Sequence, residues 1–308
     1  MRLLNEYVIT PNVCSNEINC DDSKHNFNRL KEILFDNGIV RDLQDGRWFQ
    51  HFSEFPGKWN ADRVKILIKL KAQNRLRVFP SYYQNGLEND LDWCREALAT
   101  HKKEELEGII STKQTCSNLM KKKKIDVLFA IENLHCSDWM RSTSCSIELK
   151  TEAQDYIDAL RLTLQCSNSI MFIDPYLNPM RTEYDVFEQL FEEIGNSSKK
   201  PAIEIHTSAK AEAVINDQEY TGDLGKNFCD KWRTLAKKNR LVIEVYKWPA
   251  FHDRFLITDL IGLSLPFGFQ TTPNQAYKTI WTRLQRKHRD SVQSRFSVTN
   301  RPQPITIG

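Results

Sequence analysis

The chain has 308 residues, 40% hydrophobic and 27% charged, a balance that implies a folded, water-soluble protein with its own core and excludes a disordered one. The formal net charge is only +3, so affinity for nucleic acid has to come from a local patch and not from an overall basic field. No stretch approaches the roughly 18 apolar residues of a membrane span, and the opening MRLLNEYVIT has no secretory pattern, so a cytoplasmic protein is expected. The eight cysteines are scattered, with no CxxC pair and no matched histidine spacing. Reduced thiols are therefore expected, and neither a metal nor another cofactor.

Taken in chain order, residues 7–10 (YVIT) suggest a short strand. Residues 28–38 place Leu30, Ile33 and Leu34 on one helical face and stop at Asn-Gly. Residues 61–79 predict a helix running into a strand, 90–110 a further amphipathic helix, and 121–131 a basic turn, Lys121 to Lys124, before a buried strand. This half, 1–148, is expected to be a mixed α+β domain that recognises a target or another protein.

A boundary is expected within 132–150, where NLHCSDWMRSTSCS is polar, irregular and serine-rich. Beyond it helices and strands alternate: helix 152–166, strand 169–177, helix 184–195, strand 202–208, helix 225–239, strand 240–246. Such alternation argues for an α/β layer with a largely parallel sheet over 149–308, and for ligands beyond the carboxyl ends of its strands. Asp174, His206 and the turn before His252 all fall near those ends. No internal repeat is visible.

Residues 248–259 read WPAFHDRFLITD. As a strand starting after Pro249, alternation puts His252 and Arg254 on one face, and Asp259 reaches them only from the strand end or a bend. That pair suits phosphodiester chemistry. A neutral imidazole can attack phosphorus, and an arginine fork can hold two non-bridging oxygens at any working pH.

His252-x-Arg254-x4-Asp259 resembles the HxK(x)4D signature of the phospholipase D superfamily, with Arg in place of Lys. FIDPYL (172–177) looks like the upstream strand and turn of its HDR-type domains. GLSLPFGF (262–269) stands where the superfamily places a small-residue turn closing the phosphate pocket. The resemblance covers about 150–296 and implies a phospholipase D-like mixed sheet flanked by helices. It also implies a metal-independent nuclease or phosphodiesterase working through a phosphohistidine, of the kind that serves in bacterial defence. His252, Arg254 and Asp259 would be catalytic. Asp174, Tyr176, His206, Gly262, Ser264 and Gly268 would line the substrate site.

The family uses two such motifs, and none of the other six histidines fits one: His101-Lys102-Lys103 has Gly108 where Asp should stand. Activity would then need a homodimer with merged sites. Alternatively, the N-terminal half is a decayed second module and the C-terminal half is a catalytically silent phosphate-binding domain. Silent relatives attached to microtubule-interacting and trafficking proteins bind phosphoinositides. A non-enzymatic partner subunit is a third reading.

Plainer readings stand beside these. His252 and Arg254 can form a structural cluster with Asp253 or Asp259. Asp174 and Tyr176 can belong to an ordinary turn, and His206 can pair with Glu204. Residues 278–301 hold seven basic side chains against Asp290 alone, with Trp281 and Phe296 interleaved. Arg283, Arg286, Lys287 and Arg289 would track a nucleic-acid backbone, or form a solvated helix face.

Overall fold

The computed structural model of the chain describes residues 3–18, 20–83, 87–121, 124–136, 145–197, 199–212, 223–272, 277–297, 299 and 301–308. The chain divides into two compact units, Leu4–Thr143 and Ser144–Gly308, the latter joined by Leu3. Residues 137–144 of the expected linker, and Lys122 and Lys123 of the basic turn, lie outside the described residues.

The first unit runs β1 (Asn5–Ile9), α1 (Asp21–Asn37), β2 (Gly38–Asp42), α2 (Leu43–Glu54), α3 (Ala61–Ala72), β3 (Leu76–Val78), α4 (Asp90–His101), β4 (Gly108–Ser111), α5 (Lys113–Met120) and β5 (Leu128–Ala130). The strands lie in the order β3-β2-β1-β4-β5, every neighbouring pair parallel. Val8, Ile9, Ile39, Val40, Ile109 and Ile110 are all fully buried, whichever face they occupy, as a parallel sheet covered on both faces requires. Gly38 ends α1 and opens β2 with no loop between. A side chain there would meet Leu34 Cα at 2.7 Å, so close packing, not a positive φ, calls for glycine.

This arrangement corrects the expectation of a mixed α+β half. The unit is a doubly wound parallel sheet, and its strand order and directions differ from those of the second unit. It is therefore not a second copy of that module.

The second unit contains β6 (Ser146–Lys150), α6 (Ala153–Cys166), β7 (Ser169–Ile173), α7 (Val186–Gly195), β8 (Ala202–Ser208), α8 (Leu224–Asn239), β9 (Ile243–Trp248), β10 (Phe255–Thr258), β11 (Gly262–Ser264), β12 (Lys278–Arg283), α9 (Arg286–Phe296) and β13 (Ile305–Ile307). Its sheet has the order β13-β9-β8-β7-β10-β11-β12-β6. Only β7–β8 and β8–β9 pair in parallel; the remaining pairs are antiparallel. The largely parallel sheet expected from the helix–strand alternation thus holds for its centre alone, because β10 and β11 form a hairpin closed by Thr258 N–H donating to Ile261 O at 2.9 Å. Phe172, Phe187, Phe191, Trp232 and Phe269 pack edge to face or stacked around β7, α7 and α8.

The stretch 248–259 is not one strand. β9 ends at Trp248, β10 begins at Phe255, and the residues between are irregular. Pro249 has no N–H to continue the ladder. The alternation argument that put His252 and Arg254 on one face therefore does not apply.

Candidate phosphate site

β7, β8 and β9 end together, and β10 starts beside them: Ile173 is level with His206 and Phe255, and His206 with Tyr246. The turn after β7, the connection 249–254 and the turn after β11 meet at this end of the sheet. Leu265 N–H donates to Arg254 O at 3.0 Å, which brings the turn after β11 against the connection.

Arg254 is the best-defined member of the group. Its Nη1 donates to Pro266 O at 2.9 Å, its Nε lies 3.6 Å from Asp174 Oδ1, and its guanidinium sits 4.9 Å above the Tyr176 ring. The side chain stays 24% exposed, so the fork remains reachable from solvent. Its Nε is buried, and the Asp174 separation is too long for a hydrogen bond. Asp174 itself is fully buried and accepts from Tyr176 N at 3.0 Å and Phe269 N at 3.4 Å. Burial pushes its carboxyl up, against the opposing pull of those N–H groups and of Arg254. Gly268 has φ 62°, and a Cβ there would fall 2.0 Å from Asp174 Oδ2 and 2.8 Å from Arg254 Cδ. Only glycine lets the chain pass over this pair.

His252 lies exposed in the same connection. Its neighbour Asp253 accepts from Arg295 Nη2 at 3.0 Å, and Phe251 packs 5.3 Å from Phe296. Helix α9 thus braces the segment that carries His252. Nothing in the local sequence signals this support; only the clustering of Arg295 and Phe296 late in the basic stretch hints at it.

Several other candidates lie elsewhere. Asp259 is beyond the far end of β10, about 16 Å along the chain from Arg254 by the usual strand rise. There its Oδ1 accepts from Asn168 N at 2.9 Å and Ser169 N at 3.4 Å, holding the entry to β7. Gly262 is at that far end too, where a Cβ would meet Arg289 Cγ at 2.7 Å. Ser264 is level with Phe255, one residue from the arginine.

His206 is fully buried in the sheet. Nδ1 accepts from Trp248 Nε1 at 3.0 Å, Nε2 faces Glu204 Oε2 at 3.2 Å, and the ring stacks 5.1 Å from Tyr246. Arg301 binds the other Glu204 oxygen at 3.0 Å.

In the basic stretch, Trp281 and Phe296 are core side chains and not an exposed stacking surface. Arg289 folds back onto Asp259 O at 3.0 Å and Asp290 at 2.8 Å. Arg286 and Lys287 are exposed on the first turn of α9, and Arg283 closes β12 half-buried. Among the described residues, no three His, Cys, Asp or Glu side chains gather as a metal site would need, and no helix is long and apolar enough to cross a membrane.

No protein-family model matches the chain, and no curated protein matches it. Among solved structures, the phospholipase D family member Nuc from Salmonella typhimurium aligns with a TM-score of 0.32 at 11% identity, over 49% of this chain and 90% of that one. Polyphosphate kinase from Porphyromonas gingivalis gives 0.33 at 15% identity, over 50% of this chain but 25% of its own. Phosphatidylserine synthase from Haemophilus influenzae Rd KW20 gives 0.30 at 16% identity, over 49% and 36%. All three likenesses are weak.

Proposed function

We propose that the second unit is a phosphodiesterase acting on nucleic acid, with Arg254 as its phosphate ligand and His252 as its nucleophile. The observation that carries this reading is the half-open Arg254 fork, held by Pro266 O and the Tyr176 ring at the carboxyl ends of three parallel strands. A guanidinium fixed in that way loses little freedom when it grips two phosphate oxygens. His252 would attack phosphorus, and the bond to the leaving oxygen would break. A second histidine would protonate that oxygen, then take a proton from the water that hydrolyses the phosphohistidine. This chain carries one such motif, so the second histidine comes from a second copy. Phe267, 57% exposed and adjacent to Pro266, offers a face on which an unpaired base can stack.

The test is cleavage of labelled single- and double-stranded DNA and RNA in excess EDTA. Wild type is expected to cut, and His252→Ala and Arg254→Ala to lose activity by about a thousandfold or more. Undiminished cutting by His252→Ala would refute the assignment. A non-cleaving phosphate-binding module is favoured by one observation, the buried Asp174 carboxylate beside Arg254, which offsets the charge a transition state would use. In that case oligonucleotide or phosphoinositide headgroup binding would depend on Arg254 and be indifferent to His252→Ala.

A further inference from the structure

The first unit carries a separate site. Its strand order reverses between β1 and β4, so the connections leaving those two strands diverge, and open sheets of this kind hold ligands in the gap. Here the gap is a crevice of about 420 Å³, within the size range of small-molecule sites. Ser15, Glu17 and Ile18 form the side that follows β1. Thr112, Gln114 and Ser117 form the side that follows β4, and Glu132 stands beside them.

The crevice is held open by a buried carboxylate beneath it. Asp90 Oδ2 lies 2.9 Å from Thr10 Oγ1, 2.9 Å from Ser111 Oγ and 3.0 Å from Thr115 Oγ1, and Oδ1 accepts from Asn12 N at 2.8 Å. The ends of β1 and β4 and the first turn of α5 are thereby tied to one group, so the walls are set before a ligand arrives.

The chemistry of the walls selects the ligand. The start of α5 is where a phosphate would sit in such a fold, but Glu132 Oε2 already accepts from Lys113 N there at 2.9 Å. The turn after β1 reads TPNVCSNE, with no glycine to let a pyrophosphate approach the backbone. Two carboxylates against one lysine make the lining acidic, and its remaining groups are hydroxyls and amides with a single Ile. An anion is repelled, while a neutral molecule rich in hydroxyl donors finds acceptors on both walls. We infer that this crevice binds the vicinal hydroxyls of a neutral sugar or nucleoside, with Glu132 and Glu17 accepting from the diol.

Calorimetric titration of the full chain with adenosine, 2′-deoxyadenosine, AMP and glucose tests this. Adenosine is expected to bind with a Kd on the order of 0.1 mM, and 2′-deoxyadenosine and AMP about tenfold or more weakly. Binding by glucose in place of adenosine would assign the diol to a free sugar. Ser117→Trp, at an exposed position on the wall, is expected to abolish binding while the circular dichroism is unchanged. Glu132→Gln, which adds no bulk, is expected to weaken binding about tenfold. The proposal is overturned if neither adenosine nor glucose binds at about 5 mM. It is also overturned if AMP outcompetes adenosine, if the deoxynucleoside binds equally, or if a folded Ser117→Trp chain keeps full affinity.

Discussion

Gly268 is a single residue on which the geometry of the candidate site rests. Gly268→Ala places a methyl 2.0 Å from a buried carboxylate oxygen at a φ that L-residues avoid. We expect a loss of about 1–3 kcal/mol in stability, read by urea denaturation, together with weaker oligonucleotide binding as Arg254 is displaced. His206 gives a second prediction. With Trp248 donating to Nδ1 and Glu204 facing Nε2, a neutral ring protonated on Nε2 fits, and a doubly protonated ring would turn Nδ1–H against the indole N–H. Burial pushes the imidazole down. The unfolded chain takes up a proton near the usual value of about 6.5 while the folded chain resists, so this contribution is complete above that pH and lost as pH falls below it. Glu204 adds to this. Burial pushes its carboxyl up, but hydrogen bonds from His206 and Arg301 hold it below the usual carboxylate range, so its share is lost at still lower pH. Urea midpoints should fall between about pH 7 and pH 5, and His206→Phe should flatten that slope. At this scale the sequence pointed to Arg254, Asp174, Tyr176 and the Pro-Phe-Gly turn because each sits in a short, local pattern. It could not show that Asp259, five positions on, lies at the other end of a strand, since spacing carries no bend.

Elements with long apolar periodicity were readable: α3, α6, α7 and α8 fall where 3.6-residue patterning put them, and β8 where an apolar run did, whereas α1 starts at Asp21, seven residues before the 28–38 segment, and β7 stops at Ile173, short of 177. The strands that escaped are short or charged. GIVRD (38–42) buries Arg41 against Glu6 at 2.6 Å, a long-range partner that makes a charged segment into a central strand. GIIS (108–111) is four residues long, and its first three residues continue the apolar pattern of the helix expected over 90–110. Where elements depend on a remote partner, removing the partner is the test. Asp90→Ala strands three buried hydroxyls and the Asn12 N–H, and should cost about 3 kcal/mol or more of stability in the first unit. Hydrogen exchange should show β1 and β4 losing protection, with β7 and β8 unchanged. Uniform loss across both units would contradict the local role given to Asp90.

Across the whole molecule, two sheets of unlike topology each bury their own thiols. Cys14, Cys94, Cys116 and Cys166 are buried, and Cys20 and Cys145 are exposed. Burial pushes the Cys14 and Cys116 thiols up to about 12. A maleimide added to the native chain should therefore modify Cys20 and Cys145 within minutes and reach the buried four only in denaturant, as peptide mapping would show. Early labelling of Cys94 or Cys116 would mean that the first unit opens more readily than its packing implies. The alternation of helix and strand announced α/β architecture for the second unit. The first unit's parallel order was not legible, because the register of short strands is set by contacts 30 or more residues apart.

β13 is three residues long and lies along β9 through Ile305 opposite Val245 and Ile307 opposite Ile243. Without it, the six-residue β9 would be the last strand of the sheet, with a row of backbone donors and acceptors open to any extended peptide. The short strand occupies the first half of that row, Ile243 to Val245, and leaves too little of its own to template another. A foreign strand adding to this flank would meet β13 along half of β9 and not a continuous open edge.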